Sequence, residues 1–452
     1  MSSQPATAGS DILARYQRIP VWPFSVGLLW VLGIGYGLSF YDIGDISFAL
    51  PVIQQYFHVS TAAVASVVSI GLVGYIVGAL AVSAVSDLIG RRRALALCVI
   101  LFTVGSLGCA FSPSVGWLAV SRFVTGAGIG SEIASITSYI SEIAPREVRG
   151  RYTAWAVFFA FAGGFLTPPL ALVLLPHLAQ GWRILLGIGA LGGLTLFWWV
   201  RIPESVRWLV QRGRLEEARQ LLESAEARAL KKWGRELPPP DYSLAAVEAE
   251  RALSYAALLR PPYLGRVVLL VVLWAVYYVG NYAWVGFAPT LLVKAGFSIA
   301  GSITVLFIGQ AGAVLAALLM PFLSDRFERK RTVLVILGVW IVALLILGFF
   351  PSPLMVVIAG FFIWATIGSF DPLAYTITGE HFPTRARNSG VALGDGLGHI
   401  GGALAPVLIF PAYGLLGFKG AFLVMALSGL VTAVLMTFTV PATRRELEAV
   451  AQ

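Results

Sequence analysis

Charged side chains are scarce in this chain of 452 residues: Asp, Glu, Lys and Arg together make up 12% of it, against about a quarter in soluble globular domains. With 58% hydrophobic residues and a mean hydropathy of +0.82, that scarcity excludes a water-soluble globular fold. Cysteine is rarer still. Cys98 and Cys109 are the two present, eleven residues apart on one apolar run and so about 16 Å apart by helical rise, too far to bridge each other. Four histidines, with no His-Glu-x-x-His and no paired-cysteine spacing, remove support for a metal centre or a zinc protease. No metal, cofactor or catalytic residue is expected. At 1–10 no basic stretch leads into a short apolar core and a small-residue cleavage site, so no removable signal peptide is read there.

What the chain has in abundance is uninterrupted apolar sequence. Uncharged intervals run over 59–86, 94–121, 152–182, 267–293, 295–324, 332–370 and 420–443, each longer than the roughly 20 residues a spanning helix needs. They do not alternate, and they are too long for barrel strands. Split at clusters of Pro, Gly and Ser, the apolar sequence gives twelve helices, near 23–49, 62–86, 93–112, 115–141, 151–175, 183–201, 266–293, 298–323, 331–350, 353–378, 388–411 and 420–440. The fold class is therefore an all-α integral membrane protein.

The net charge of +9 reads as topology and not as a nucleic-acid surface. Of the 32 Lys and Arg, 28 fall on segments of one side, including Arg15, Arg18, Arg91 to Arg93, twelve between Arg201 and Arg266, and Arg329 to Arg331. The positive-inside rule makes that side cytoplasmic, which puts both termini inside the plasma (inner) membrane. Between Arg201 and Arg266 the sequence turns charged and rich in Ala, Leu, Glu and Arg, interrupted by Pro238-Pro239-Pro240. The expected organisation is a cytoplasmic segment at 1–22, six helices over 23–201, a cytoplasmic linker over 202–265 with an amphipathic helix at 215–230, six helices over 266–440, and a tail at 441–452.

The two halves repeat. Ser86-Asp87-Leu88-Ile89-Gly90-Arg91-Arg92-Arg93 follows the second helix, and Ser324-Asp325-Arg326-Phe327-Glu328-Arg329-Lys330-Arg331 follows the eighth, Asp325 standing where Asp87 stands. A second echo joins Ser141-Glu142-Ile143-Ala144-Pro145-Arg146-Glu147-Val148-Arg149-Gly150 to Gly379-Glu380-His381-Phe382-Pro383-Thr384-Arg385-Ala386-Arg387 in the same register. Internal repeats of this size point to a transporter with its substrate site between the halves near the bilayer midplane. Carboxylates and guanidiniums at the repeated helix ends, Asp87, Arg91, Arg92, Glu142, Arg149 and Glu204 in one half and Asp325, Arg329, Glu380 and Arg387 in the other, suit a gate of ion pairs that form in one state and part in another.

In this Asp-x-x-Gly-Arg-Arg loop the chain resembles the major facilitator superfamily, and the resemblance covers nearly all of it. Arg122-Phe-Val-Thr-Gly-Ala-Gly-Ile-Gly130, the 142–151 segment and Pro203-Glu204-Ser205-Val206-Arg207-Trp208-Leu209 resemble the sugar-porter group. Gly130-Ser-Glu132, Gln310 and Gly398-His399-Ile400-Gly401-Gly402 resemble the neighbouring metabolite:proton and organic-ion branch, which includes nicotinate carriers. The resemblance implies the major facilitator fold of two six-helix bundles. Ser83, Pro321 and Glu328 stand where the loop motif has Gly, His399 where the organic-ion branch often has Arg, and Asp371 where sugar porters have Gly; these departures leave the substrate open.

Seven ionisable residues fall inside the spans. Asp42 and Asp45 stand three apart, on one helix face, and intramembrane carboxylates turn toward a cavity or a basic partner. Asp42 and Arg122 lie at matching depth, roughly 10 to 14 Å below the outer surface at 1.5 Å per residue, and in sugar porters a first-helix Asp pairs with a fourth-helix Arg. Such a pair can couple protons, or can lock two helices permanently; Asp45 has no partner at that depth. Glu132, deeper on the fourth helix, is read with Asp42, Asp45 and Arg122 as proton-coupling or as a hydrogen-bonded structural acid. Asp371, Asp395 and His399 occupy the second half, the last two four apart and able to touch. Tyr278, Asn281 and Trp284 on the seventh helix, with Gln310, Trp364 and Tyr375, offer ring faces and amides to a substrate. The acid-rich interior suits protons, cations or polyhydroxylated solutes better than a simple carboxylate.

Together these features read as a monomeric carrier, not an enzyme, that moves a small polar organic solute, a sugar or related metabolite, by alternating access with proton symport. Its partners are that solute, protons and the lipid bilayer, and no nucleic acid. A uniporter and a proton-coupled exporter of drugs or organic cations stay open as alternatives.

Overall fold

The computed structural model describes residues 8–145, 148–242, 255–323, 328–382 and 386–439. Every regular element among them is helical. The twelve long helical segments are α1 (Val26–Tyr56), α2 (Thr61–Ile89), α3 (Arg91–Ala110), α4 (Val115–Ile143), α5 (Arg149–His177), α6 (Gly181–Ile188, wound on as a 3₁₀ helix over Gly189–Arg201), α7 (Leu264–Lys294), α8 (Ile299–Leu323), α9 (Arg329–Phe349), α10 (Pro353–Glu380), α11 (Arg387–Gly398, then Ile400–Leu416) and α12 (Phe418–Thr437). Eleven are long and apolar enough to cross a membrane. The remaining one, α4, carries Arg122 and Glu132.

Local chemistry sets the ends. Ser60 and Ser114 accept the N–H of Ala63 and Trp117, each at 3.2 Å, and so start α2 and α4. Ser298 and Ser352 do the same for Gly301 and Met355 at the start of α8 and α10. Side-chain oxygens at this position satisfy a helix's free first-turn donors. Ser298 follows Ser60, and Ser352 follows Ser114, by the same offset in residue number that separates Asp87 from Asp325. Gly90, at φ 97°, closes α2 and opens α3. Some helices run past their expected ends because proline is carried inside them, as Pro51 in α1 and Pro176 in α5; neighbouring helices can compensate for the lost hydrogen bond within a bilayer.

Small residues let backbones touch. A Cβ on Gly74 of α2 would lie 2.1 Å from the Phe123 carbonyl of α4, and one on Gly312 of α8 would lie 2.0 Å from the Phe361 carbonyl of α10. Both members of that contact keep the offset of the helix-starting serines. In the first half α1 also packs on α5, and in the second α9 packs on α12. The halves meet through α1 with α7, α2 with α11 and α5 with α8. Cys98 and Cys109 are buried in α3, facing Ser135 and Thr125 of α4.

At the basic end, three short helices cover the first half. The sequence anticipates one of them, Leu215–Trp233; Val206–Gln211 and the N-terminal Ala8–Gln17 are additions. Glu226 receives Arg15 at 2.7 Å and Arg18 at 2.8 Å. Tyr16 donates to the Ile143 carbonyl at 2.6 Å, and Lys232 donates to the carbonyls of Trp22 and Phe24 at 3.0 and 2.8 Å. The linker is thereby fixed to the entrance of α1 and the exit of α4.

Candidate functional site

α1 places Asp42 and Asp45 on one face, both 0% exposed, toward Arg122 of α4. Arg122 Nη1 donates to Asp42 Oδ2 at 2.9 Å and to Asp45 Oδ1 at 3.4 Å, and Nη2 donates to the Asp42 carbonyl at 3.0 Å. Asp45, expected to stand alone, therefore shares the guanidinium. Ser106 of α3 donates to Asp42 Oδ1 at 3.3 Å. α6 contributes by leaving room: a Cβ on Gly189 would lie 2.8 Å from Asp42 Oδ1 and 2.9 Å from Ser106 Oγ. Tyr41 donates to the Leu185 carbonyl at 2.8 Å, and Thr167 donates to the Tyr41 carbonyl at 3.1 Å, tying α1 to α6 and α5. Two buried atoms have no hydrogen-bond partner, Asp45 Oδ2 and Arg122 Nε.

Glu132 does not join this group. It is 1% exposed and accepts a hydrogen bond from Ser39 of α1, above Gly35, whose Cβ would lie 2.7 Å from Glu132 Oε1.

In the second half two carboxylates are held by tyrosines. Asn281 donates to the Tyr277 hydroxyl at 3.0 Å, which donates to Asp371 at 3.2 Å. Tyr278 and Tyr375 both donate to Asp395 Oδ1, at 2.5 and 3.0 Å. His399 sits at the joint of α11, its Nδ1 2.8 Å from the Asp395 carbonyl and 3.7 Å from Asp395 Oδ1. Its ring lies against Tyr75 of α2, centroids 3.9 Å apart and planes 20° from parallel. Gln310 donates across the halves to the Gly164 carbonyl at 3.3 Å. Trp284 is instead packed inside the second half, edge-on to Phe422, and Trp364 rests against the same apolar core. That core also holds Tyr277, Tyr278 and Tyr282, with Tyr375 packed against it. Ser106 and Tyr75 enter the site without having been singled out, since a lone hydroxyl in an apolar helix has no spacing that marks it.

At the basic end Arg91 binds Asp87 at 2.6 Å and Glu142 at 2.9 Å. Glu204 accepts the backbone N–H of Arg91 at 2.9 Å and of Arg92 at 3.3 Å, an anion at the N-terminus of α3. In the second half Arg329 pairs with Glu380, the two positions equivalent to Arg91 and Glu142. Asp325 and the side chains of Arg149 and Arg387 lie outside the described residues.

Between the halves Ile43, Tyr75, Arg122, Tyr282 and Gly286 help to line a cavity of about 40 Å³, far below the roughly 300 Å³ at which ligand pockets begin. This cavity is too small to hold an organic solute. A groove of about 760 Å³ on the outer face of α1, α5 and α6 is larger, but it opens between the exposed Trp30, Leu166 and Trp198 and faces lipid.

A family model described as sugar (and other) transporter matches residues 30–452. The chain belongs to that family. This transporter is 27% identical over 408 residues to the niacin transporter NiaP of Acinetobacter baylyi, covering 88% of this chain and 90% of the relative. It is 28% identical over 454 residues to the glucose transporter GlcP of Staphylococcus epidermidis, covering 93% and 95%. Its fold is that of the xylose transporter XylE of E. coli, solved in an inward open conformation, with a TM-score of 0.73, 22% identity, and 94% and 99% of the two chains covered. The transporter is thus an all-α major facilitator protein and not an enzyme.

Proposed function

We propose that the chain is a proton-coupled carrier of a small polar organic solute, working by alternating access as a monomer in the plasma membrane, with both termini cytoplasmic. The observation that carries the reading is the buried group of two carboxylates and one guanidinium. With both carboxylates ionised it holds a net charge of −1; with one proton bound it is neutral. Burying unbalanced charge is strongly unfavourable, so closing the centre favours the proton-bound form and opening it to water permits release. Asp42, with the nearer guanidinium contact and Ser106, is the better held carboxylate. Asp45, with one oxygen unpartnered, is the one proposed to take the proton.

The ion pairs of Arg91 and Arg329 are proposed to gate the cytoplasmic side. Relatives named for niacin and for glucose show that the family spans unlike solutes, which leaves the substrate to the chemistry of the centre. The test is uptake into proteoliposomes with an inward-directed proton gradient. Wild type is expected to accumulate solute against its gradient, while Asp42→Asn and Asp45→Asn lose accumulation yet keep solute counterflow. Unchanged accumulation in both variants would refute the coupling role.

A further inference from the structure

We infer that the groove on the outer face of α1, α5 and α6 binds an anionic phospholipid from the leaflet on the basic side of the membrane, its tail in the groove and its phosphate at the N-terminus of α1. The site lies apart from the buried carboxylates and does not depend on the carrier reading. Along α1 the lining runs from Ser25 to Tyr41, about 24 Å at 1.5 Å per residue. That is roughly one leaflet, half of the 40–45 Å that a bilayer measures with its headgroups. Small residues make the floor. Gly37 and Gly163 both line the groove where α1 touches α5, and a Cβ on Gly37 would lie 2.9 Å from the Phe159 carbonyl.

Polarity divides the groove into a place for a tail and a place for a head. Inside it the hydroxyls are engaged: Thr195 donates to the Gly192 carbonyl at 2.7 Å, and Tyr41 to the Leu185 carbonyl at 2.8 Å. A polar solute needs partners that these side chains do not offer, whereas a hydrocarbon chain needs none. The mouth is different. Ser25 is exposed and its side chain caps nothing, so the first-turn N–H groups of α1 present the positive end of a long helix to an anion. Lys232, exposed at the end of the linker helix Leu215–Trp233, holds its ammonium at 3.0 and 2.8 Å from the carbonyls of Trp22 and Phe24, which lead into Ser25. Both carbonyls are neutral and leave that charge intact. Trp30, Trp155 and Trp198 are exposed near the basic-side ends of α1, α5 and α6, and tryptophan at such positions marks the headgroup level. A surface that is apolar through one leaflet and positive where the headgroups begin complements a lipid phosphodiester and its chain. The tail ends beside Tyr41, the neighbour of Asp42.

The full-length protein would be purified in detergent, stripped of lipid and titrated with palmitoyl-oleoyl phosphatidylglycerol, with phosphatidylcholine of the same chains, and with glycerol 3-phosphate, which has no tail. Apparent melting temperature, which rises with ligand binding, and mass spectrometry of the intact complex follow the result. Phosphatidylglycerol is expected to bind saturably as a single molecule, at about tenfold lower concentration than phosphatidylcholine, and glycerol 3-phosphate is expected to give no shift. Leu191→Trp, which fills the groove, should weaken phosphatidylglycerol about tenfold by denying its tail that surface. Ser25→Asp puts a carboxylate where the phosphate is placed. Aspartate is a favourable residue at a helix start, so the lipid-free variant should melt no lower than wild type while its preference for phosphatidylglycerol over phosphatidylcholine is lost. A folding defect therefore cannot imitate the result. Equal binding of the two lipids by wild type, full affinity and preference in both variants, or binding of glycerol 3-phosphate in place of the lipid would each overturn the inference. So would a Leu191→Trp protein that loses a dimer contact and keeps its lipid.

Discussion

Arg122 has more to hold than it can hold fully. Its Nη1 serves two carboxylates at 2.9 and 3.4 Å, both of them 0% exposed, so removing it leaves both acids buried without a cation. Arg122→Ala is expected to destabilise the protein by roughly 3–5 kcal/mol, the range for breaking a buried ion pair, read as a fall in unfolding midpoint in detergent. Adding Asp45→Asn to that variant should recover part of the loss by removing one of the stranded charges. Matching depth along two helices, together with the resemblance to sugar porters, paired Asp42 with Arg122 from the sequence. They were not enough to attach Asp45, because a three-residue spacing fixes a shared face and says nothing of how far one guanidinium reaches. Tyr75 was illegible for a different reason: its partner His399 lies far along the chain, on the other half, and no local pattern encodes a contact between halves.

At the scale of elements, the helix Ala8–Gln17 is held by its buried apolar face, by Tyr16 and by the ion pairs of Glu226. Burial alone would raise that carboxyl, but hydrogen bonds and attraction from Arg15 and Arg18 outweigh it and hold the group below its ordinary range. A carboxylate so held gives its full stabilisation above the unfolded-state value of roughly 4.3 and loses it as pH falls through the lower folded value. Amide protection in Ala8–Gln17, taken relative to the intrinsic exchange rate at each pH, is therefore expected to hold from pH 7 to about pH 5 and to fall only below about pH 4. In Glu226→Gln protection should be lower throughout, with no such step in pH. Glu204 does comparable work for α3 by accepting two N–H groups, so Glu204→Gln is expected to lower thermal stability by about 1 kcal/mol. Uncharged length made the spanning helices legible. The N-terminal helix was not, because its pattern makes sense only against the linker helix it packs on. The tightening of α6 at Gly189 has no sequence mark beyond the glycines, and what requires a glycine at 189, room for Asp42 and Ser106, lies on other helices.

For the whole molecule, one constant offset in residue number carries helix caps, helix crossings and the Arg–Glu pair from one half to the other. The sequence shows this repeat in its basic loops, and the structure extends it to the interior contact of Gly74 with Phe123 and of Gly312 with Phe361. Motion between the halves must break the contacts that join them, among them Ser69, which donates to the Ala403 carbonyl at 2.7 Å. Joining these positions through Ser69→Cys and Ala403→Cys with a short thiol cross-linker is expected to stop counterflow, and reductive cleavage of the link to restore it. Undiminished flux with the link intact would mean that α2 and α11 do not separate during transport. Such work starts from a favourable chain. Both native thiols are shielded inside α3, so the wild-type protein is close to silent toward thiol reagents. Spin labels or fluorophores on two introduced surface cysteines can then report the distance between the halves without first deleting Cys98 or Cys109.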